Sequence, residues 1–430
     1  MKICSGKDIK IITGIMAASF ILGGCNVNKK MDKPLKIDPN IKTELNLNKV
    51  SETEFVGEVM DREYRRYSIE LLNKTVKENA DNSNVMISPA SVMLALDMVA
   101  AGAKGDSLKQ LTDVFAKGQG PLEQQAYAAA LMDKINGAKE VDFKCANAVW
   151  NNENMLGSGI NGEYVDYIKE AFLAEYRVEA FDGKTVKEIN DWADKHTNHM
   201  IKEVIQDLDP STVMVLANAI CFEGKWDVAY EDYQISEGKF TKADGKTQNV
   251  TYLSDTTRRY FETDKATGFM KAYKGDEFAF LAILPKDPGI SANDFVKDFT
   301  AEDYEKFVNS MTKNFDVHSK MPEFKYDYTC TMNKMIKDMG ATDVFDENKA
   351  DLSGIAGQPG DLLISKIIHK THIEVDRTGT KAAAVTAIEV DAACEQEPAF
   401  KTVNCDRPFV YAIVDIKTMT PIFIGTVNEV

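Results

Sequence analysis

The chain has 430 residues, 44% hydrophobic and 27% charged, so a large folded core is feasible and wholesale disorder is not expected. Its formal net charge of −16 gives a surface that repels phosphate backbones and argues against nucleic-acid partners. The seven cysteines contain no CxxC pair, which argues against a disulfide scaffold and a zinc site.

The N-terminus departs from a globular pattern. MKICSGKDIK is basic on balance, IITGIMAASFIL is an apolar run of signal-peptide length, and Gly23-Gly24-Cys25 follows. Leu22-Gly23-Gly24-Cys25 resembles a bacterial lipobox. Residues 1–24 are therefore expected to be removed as a lipoprotein signal peptide, leaving Cys25 as the lipidated N-terminus. An ordinary secretory signal or a short membrane anchor is the alternative, but the run is short for a spanning helix. Residues 25–57 are polar and Lys/Asn-rich, with Pro34 and Pro39, and read as a lipid-anchored tether. This places the protein in a bacterial cell envelope, at the outer membrane, with the membrane face left open.

From about Glu58 the chain is periodic, with no internal repeat and no second linker, so residues 58–430 read as one large domain. The spacing of Tyr67, Ile69, Leu71, Leu72 and Val76 predicts a helix over Tyr64–Glu78. Ser91–Ala101 reads as a helix buried on most sides. Asn161–Glu175 and Val186–Ile205 also read as helices. Strands are predicted over Val213–Phe222, Phe278–Leu284, Ile364–Val375 and Phe409–Ile416. Helices first and strands later predict an α+β fold.

Enzyme signatures are missing from the sequence. There is no GxSxG nucleophile elbow. Gly102-Ala-Lys-Gly105-Asp-Ser is not a GxxxxGK[ST] phosphate loop. His196 and His199 lie three apart but lack the HExxH glutamate and a third ligand, so a solvated helix face is preferred over a metal site. Nothing in the pattern calls for a cofactor or a metal, and Cys221 and Cys330 sit in settings that suit buried free thiols.

The stretch GTKAAAVTAIEVDAAC, Gly379–Cys394, has a strand period. One face is Thr380, Ala382, Ala384, Thr386, Ile388, Val390 and Ala392. The other is Lys381, Ala383, Val385, Ala387, Glu389, Asp391 and Ala393, and it carries every charge. Small side chains at the leading end lower the steric cost of threading between strands already in place, and Gly379 gives backbone freedom. The segment between the strand ending at Val375 and Pro408 is too long for a hairpin turn, and loops of such length are usually functional. It reads as a segment with two states, an exposed loop and an inserted strand.

This combination resembles the serpins, a family of serine-protease inhibitors. Glu374-Val-Asp-Arg-Thr-Gly379-Thr-Lys-Ala-Ala-Ala-Val-Thr386 resembles the family's hinge, E-x-G-T-x-A-A-A-x-T, with Arg377 where the family has Glu and a bulkier Val385. Asn84-Val-Met-Ile-Ser88-Pro89-Ala-Ser91, Leu216-Ala-Asn218-Ala-Ile-Cys-Phe222-Glu-Gly224-Lys-Trp226, Met321-Pro-Glu-Phe324 and Gly340-Ala-Thr-Asp-Val-Phe345 resemble further family segments. So do Asp406-Arg-Pro408-Phe409 and Phe423-Ile-Gly425-Thr-Val. The likeness runs in order from about Glu58 to Val430.

The resemblance implies a serpin fold: a helical N-terminal part, a large central, mostly antiparallel sheet and an exposed reactive-centre loop at about 379–404. It implies an irreversible inhibitor of serine proteases, elastase-like and in some cases cysteine proteases, and not an enzyme. Strand insertion of the cleaved loop is a known serpin behaviour and a worked case of strand addition. Family spacing from Gly379 puts the reactive bond at Ala393–Cys394, with Val390, Ala392 and Cys394 as alternative cut sites. The hinge is Gly379, Thr380, Ala382, Ala383, Ala384 and Thr386. Ser88, Ser91, Asn218, His369 and Trp226 match positions where the sheet opens, and His369 is expected to be structural. The partners implied are a target protease and a membrane reached through the lipid on Cys25, with the protein itself a monomer. A non-inhibitory serpin with a binding or chaperone role is the alternative, and an envelope hydrolase the third reading. A Cys394–Cys405 disulfide, which would restrain the loop, is also open.

Overall fold

The computed structural model describes residues 12–24, 57–79, 81–154, 159–209, 212–377 and 399–430. In chain order the first half contains strand β1 (Ile12–Gly24), helix α1 (Gly57–Glu78), β2 (Val85–Ile87), α2 (Pro89–Ala100), α3 (Gly105–Phe115), α4 (Pro121–Gly137), β3 (Asp142–Asn152), α5 (Gly162–Ala171), β4 (Glu175–Glu179), α6 (Gly183–His196) and β5 (Thr212–Gly224). The second half contains β6 (Ile235–Thr241), β7 (Thr247–Thr257), β8 (Tyr260–Glu262), β9 (Ala266–Ala272), β10 (Phe278–Pro285), α7 (Ala292–Asp298), α8 (Ala301–Asn309), β11 (Asp316–Pro322), β12 (Phe324–Thr331), α9 (Asn333–Asp338), β13 (Leu362–Val375), β14 (Phe400–Asn404), β15 (Phe409–Asp415) and β16 (Pro421–Val427).

The main sheet has the order β4-β3-β5-β1-β13-β12. Only β3 and β4 pair in parallel; the other neighbours are antiparallel. A second sheet runs β2-β16-β15-β10-β9-β8, and a third runs β14-β11-β7-β6. The α+β architecture with a large, mostly antiparallel central sheet is as the sequence predicts.

Side-chain period explains what lies on each face of the main sheet. On β5, Met214, Leu216, Ile220 and Phe222 join the larger core, while Val215, Ala217, Ala219 and Cys221 join a smaller core on the opposite face. Helix α2 lies in the larger core, and all twelve of its residues are buried. It begins where Ser88 accepts the Ser91 N–H and Pro89 fills the first helical position. Helix α6 covers the smaller core with Ile189, Trp192 and Ala193. Asp182 caps it by accepting the N–H groups of Lys184 and Thr185.

The structure redraws two of the predicted elements and adds two strands. Helix α6 stops at His196 rather than Ile205, because Asn198 and His199 take left-handed backbone conformations. Asn190 holds the irregular stretch beyond, accepting from the N–H of Val204 and Ile205. Helix α5 stops at Ala171, and Leu173 turns the chain with a positive φ into β4. Strands β3 and β4 therefore fall in the half that reads as helical. Asn147, Asn151 and Asn152 interrupt the apolar run that would have announced β3.

The sequence reading leaves residues 1–24 outside the domain, whereas in the full-length chain Ile12–Gly24 is a strand between β5 and β13. An uncharged apolar run can pair with two facing strands as readily as it can enter a lipid phase. Cys25 and the rest of the tether up to residue 56 lie outside the described residues.

Candidate functional site: a slot in the main sheet

The slot is bordered by β5 on one side and β13 on the other, and a strand of thirteen residues fits between them. Its levels are fixed by pairing. Ala18 is opposite both Asn218 and His369, Thr13 is opposite both Glu223 and Glu374, and Ile21 is opposite both Val215 and Lys366.

Three of the predicted sheet-opening residues, Ser88, Ser91 and His369, are linked under the N-terminus of α2, and Asn218 lies at the level of His369 on the other side of β1. The Ser88 N–H donates to His369 Nε2 at 3.3 Å, and Ser88 Oγ accepts from the Ser91 N–H at 3.3 Å. His369 is fully buried, and desolvation pulls its pKa down to about 3, so its ring is neutral at ordinary pH. With Nε2 accepting, the proton of the neutral ring is on Nδ1. Asn218 donates to Asn147 Oδ1 at 2.8 Å and reaches Cys145 Sγ at 3.2 Å. His369 Nδ1, Asn218 Oδ1 and Ser91 Oγ are buried without a hydrogen-bond partner among the described residues.

Those orphan atoms are complementary. His369 Nδ1–H is a donor and Asn218 Oδ1 an acceptor, on residues facing each other across one strand. Neighbouring strands lie roughly 4.7–4.9 Å apart, so withdrawing the intervening strand and closing the sheet would let them meet. A buried polar atom left unpaired costs about 1–3 kcal/mol, so the cluster favours the closed sheet. His369 touches no activated hydroxyl, because Ser88 is engaged as a helix cap.

Trp226 lies at the mouth of the slot, 3% exposed. Its indole N–H donates to the carbonyl of Asp376 at 3.1 Å, just past the end of β13. Its ring stacks on Tyr273 at 4.9 Å and an angle of 3°, and the Lys271 ammonium sits 5.6 Å from its centre. Lys271 pairs with Asp255, while burial pulls its pKa down.

Sequence reasoning missed the partners of Arg377. Its backbone N–H donates to Glu323 Oε1 at 3.1 Å, and its guanidinium reaches Asp232 at 3.2 Å. Desolvation raises the pKa of Glu323. Glu323 lies inside the quoted Met321-Pro-Glu-Phe324 segment, which was the only signal in the sequence. Beyond the loop, β14 pairs in parallel with β11, and Lys401 on it reaches Glu262 at 3.1 Å. Lys286, Tyr260 and Lys401 hold the Glu262 pKa down at about 2.

The hinge residues Gly379, Thr380, Ala382, Ala383, Ala384 and Thr386 and the bond Ala393–Cys394 lie outside the described residues. Cys405 is a buried free thiol, and Cys394, the partner weighed for it, lies outside the described residues. Cys221 is buried and free; Cys330 is half-buried, and burial pushes its thiol up to about 12. His196 closes α6 against Trp192, and His199 lies beyond the helix beside Asp194, so they do not share a helix face. No cluster suited to a metal ion occurs among the described residues.

The comparisons with known proteins agree with this geometry. The family model described as Serpin (serine protease inhibitor) matches residues 62–430. Leukocyte elastase inhibitor A of Mus musculus is 29% identical over 372 residues, covering 84% of this chain and 97% of its own. An uncharacterized serpin-like protein of Methanosarcina mazei is 28% identical, covering 82% and 83%. Among solved structures, the thermophilic serpin tengpin in its native state is similar with a TM-score of 0.75 at 34% identity, covering 86% of this chain and 94% of its own. Serpins are protease inhibitors rather than catalysts. With the family match running from α1 to the C-terminus, and the helix-capped polar cluster beneath a sheet that admits an extra strand, this chain belongs to the serpin family.

Proposed function

We propose that this protein is a single-use inhibitor of serine proteases of elastase-like preference, held at a bacterial cell envelope by lipid on Cys25. The observation that carries the reading is the slot, which accepts a full-length strand hydrogen-bonded on both sides. Removal of residues 1–24 leaves that place for the loop.

The protease serine attacks the carbonyl of Ala393. The Ala393–Cys394 bond breaks, Cys394 leaves as a new amine, and Ala393 stays esterified to the protease. Gly379 to Ala392 then enters the slot before water can cleave the ester. Thr380, Ala382, Ala384 and Thr386 face the larger core, where small side chains fit. A strand paired on both sides gains on the order of ten hydrogen bonds, each about 0.5–1.5 kcal/mol net, which makes insertion effectively irreversible. Small residues flanking the cut suit a protease with a small primary pocket.

The test is to incubate a form starting at Asn26, monomeric and soluble, with an elastase-type protease on a denaturing gel. A stable band near the summed mass, with mass spectrometry placing the cut at Ala393–Cys394, is the expected result. Cleavage there with no trapped band and no rise in thermal stability would establish a non-inhibitory serpin instead.

A further inference from the structure

The two strands bordering the slot carry charges on the α6 face that its present occupant does not answer. At the level of Thr13, the main sheet reads Asp142, Glu223, slot, Glu374, Lys325. Lys325 pairs with Glu374 at 2.8 Å, and Lys144 pairs with Asp142 at 2.7 Å. Glu223 accepts from the Asn198 amide at 2.6 Å and lies directly opposite another carboxylate, Asp142. Like charges directly opposite destabilise a sheet. At the level of Ile21, the exposed Lys366 borders the slot and makes no ion pair among the described residues.

Loop residues carrying charges have one register that meets these levels. Antiparallel pairing back along β13, with Thr386 at the level of Asn218 and His369, puts Lys381 between Glu223 and Glu374. It also puts Glu389 beside Lys366, Val385 beside Lys370, and Ile388 between Ile367 and Leu216. Sliding by two residues one way brings Thr386 to Ile367 and Glu389 to Leu363. Sliding the other way sets Glu389 against Ile368 and Ala217. A slide by one residue turns every charge into the larger core.

We propose that Glu223 and Glu374 form a receiving site for Lys381, and Lys366 one for Glu389, and that these charge matches set the register and completeness of loop insertion. The proposal rests on the inhibitor reading above. It assigns Glu223, Glu374 and Lys366 as positioning residues, none of which touches the protease. The first match acts early, since Lys381 enters two residues after Gly379. The second acts late, near the far end of the strand.

The experiment compares melting temperature before and after a single cut in the loop, together with the number of inhibitor molecules consumed per protease trapped. It uses the form starting at Asn26, in which residues 12–24 no longer fill the slot and which keeps the whole family match. Lys381→Glu is expected to shrink the cleavage-induced rise and to raise consumption per trapped protease several-fold. Adding Glu374→Lys to Lys381→Glu is expected to restore both, and Glu389→Lys with Lys366→Glu should behave the same way with a smaller effect. Each variant's uncut melting temperature reports folding separately. A Lys381→Glu protein that gains stability and traps protease like the parent overturns the proposal, as does failure of the Glu374→Lys rescue. If the parent itself gains no stability on cutting, the insertion reading falls and the register falls with it.

Discussion

At the middle of the slot, Ser88, Ser91, Asn218 and His369 are all fully buried and uncharged, and their bonds depend on hydrogen-bond geometry. At its mouth, Trp226 is buried but its neighbours Lys271, Glu323, Arg377 and Asp232 are ionisable, and the Arg377 and Asp232 side chains are 46% and 92% exposed. On the proposed mechanism the middle would therefore distinguish two discrete sheet states, one in which Asn218 and His369 face each other and one in which a strand separates them. The mouth is graded instead, since exposed charges respond continuously to salt and pH. The two regions also answer acid with opposite sign. His369 has a pKa pulled below its ordinary 6.5 to about 3, so the unfolded chain takes up a proton first and stability falls as pH drops from 6.5 towards 3. Glu323 has a pKa raised above its ordinary 4.5, so its contribution is fully present below 4.5 and is lost as pH rises through the folded value.

The sharpest way to break the mouth is Trp226→Ala. It removes the Tyr273 stack, the Lys271 contact and the hydrogen bond to Asp376, and is expected to cost about 3–5 kcal/mol in denaturant unfolding. Trp226→Phe keeps the stack and should cost about 1 kcal/mol, the size of one hydrogen bond. At the middle, His369→Gln removes the titrating ring. Thermal melts from pH 6.5 to 3 should then lose the part of the slope that His369 supplies, at most about 1.4 kcal/mol per pH unit. Asn218→Ala loses the Asn147 bond in every state, and in the closed sheet it also loses the His369 bond. The uncut protein should therefore be destabilised by about 1 kcal/mol more than the cut one, which calorimetry of both forms would show. Equal losses in both forms would mean that Asn218 and His369 never meet.

Much of this contrast was legible in the sequence, but unevenly. Ser88, Ser91, Asn218, His369 and Trp226 lie in segments whose order and spacing resemble the family, and the structure links Ser88, Ser91 and His369 and puts Asn218 at the level of His369 across β1. The two faces assigned to Gly379–Cys394 rest on strand period alone, and that segment lies outside the described residues. The partners of Arg377 were not legible, because Asp232 and Glu323 are distant in sequence and meet it only where the main and third sheets adjoin. The levels of Glu223, Glu374 and Lys366 were equally hidden, since register between β5 and β13 depends on pairing across the slot. Helix ends at Ala171 and His196 were misjudged because left-handed residues there are Leu173, Asn198 and His199 rather than glycine. The apolar run Ile12–Gly24 carried the opposite lesson. Its composition suits a leader and a sheet strand equally, and pattern alone does not separate the two.

The smallest expected effect belongs to Arg377, and it tests whether the mouth is graded. Arg377→Ala removes an exposed ion pair with Asp232, worth about 0–1 kcal/mol, while leaving the backbone N–H that Glu323 accepts. Melting should shift little at low salt and not at all at high salt, because exposed charges are screened. Glu323→Gln probes the same place from the buried side. It keeps an acceptor for the Arg377 N–H but removes a carboxyl that desolvation and the neighbouring Asp376 and Glu237 keep easily protonated. The variant should gain on the parent as pH rises above 4.5, the reverse of the acid-side change seen at His369. A salt-independent loss in Arg377→Ala would instead show a pair locked in one geometry, and the mouth would then be a discrete switch like the middle.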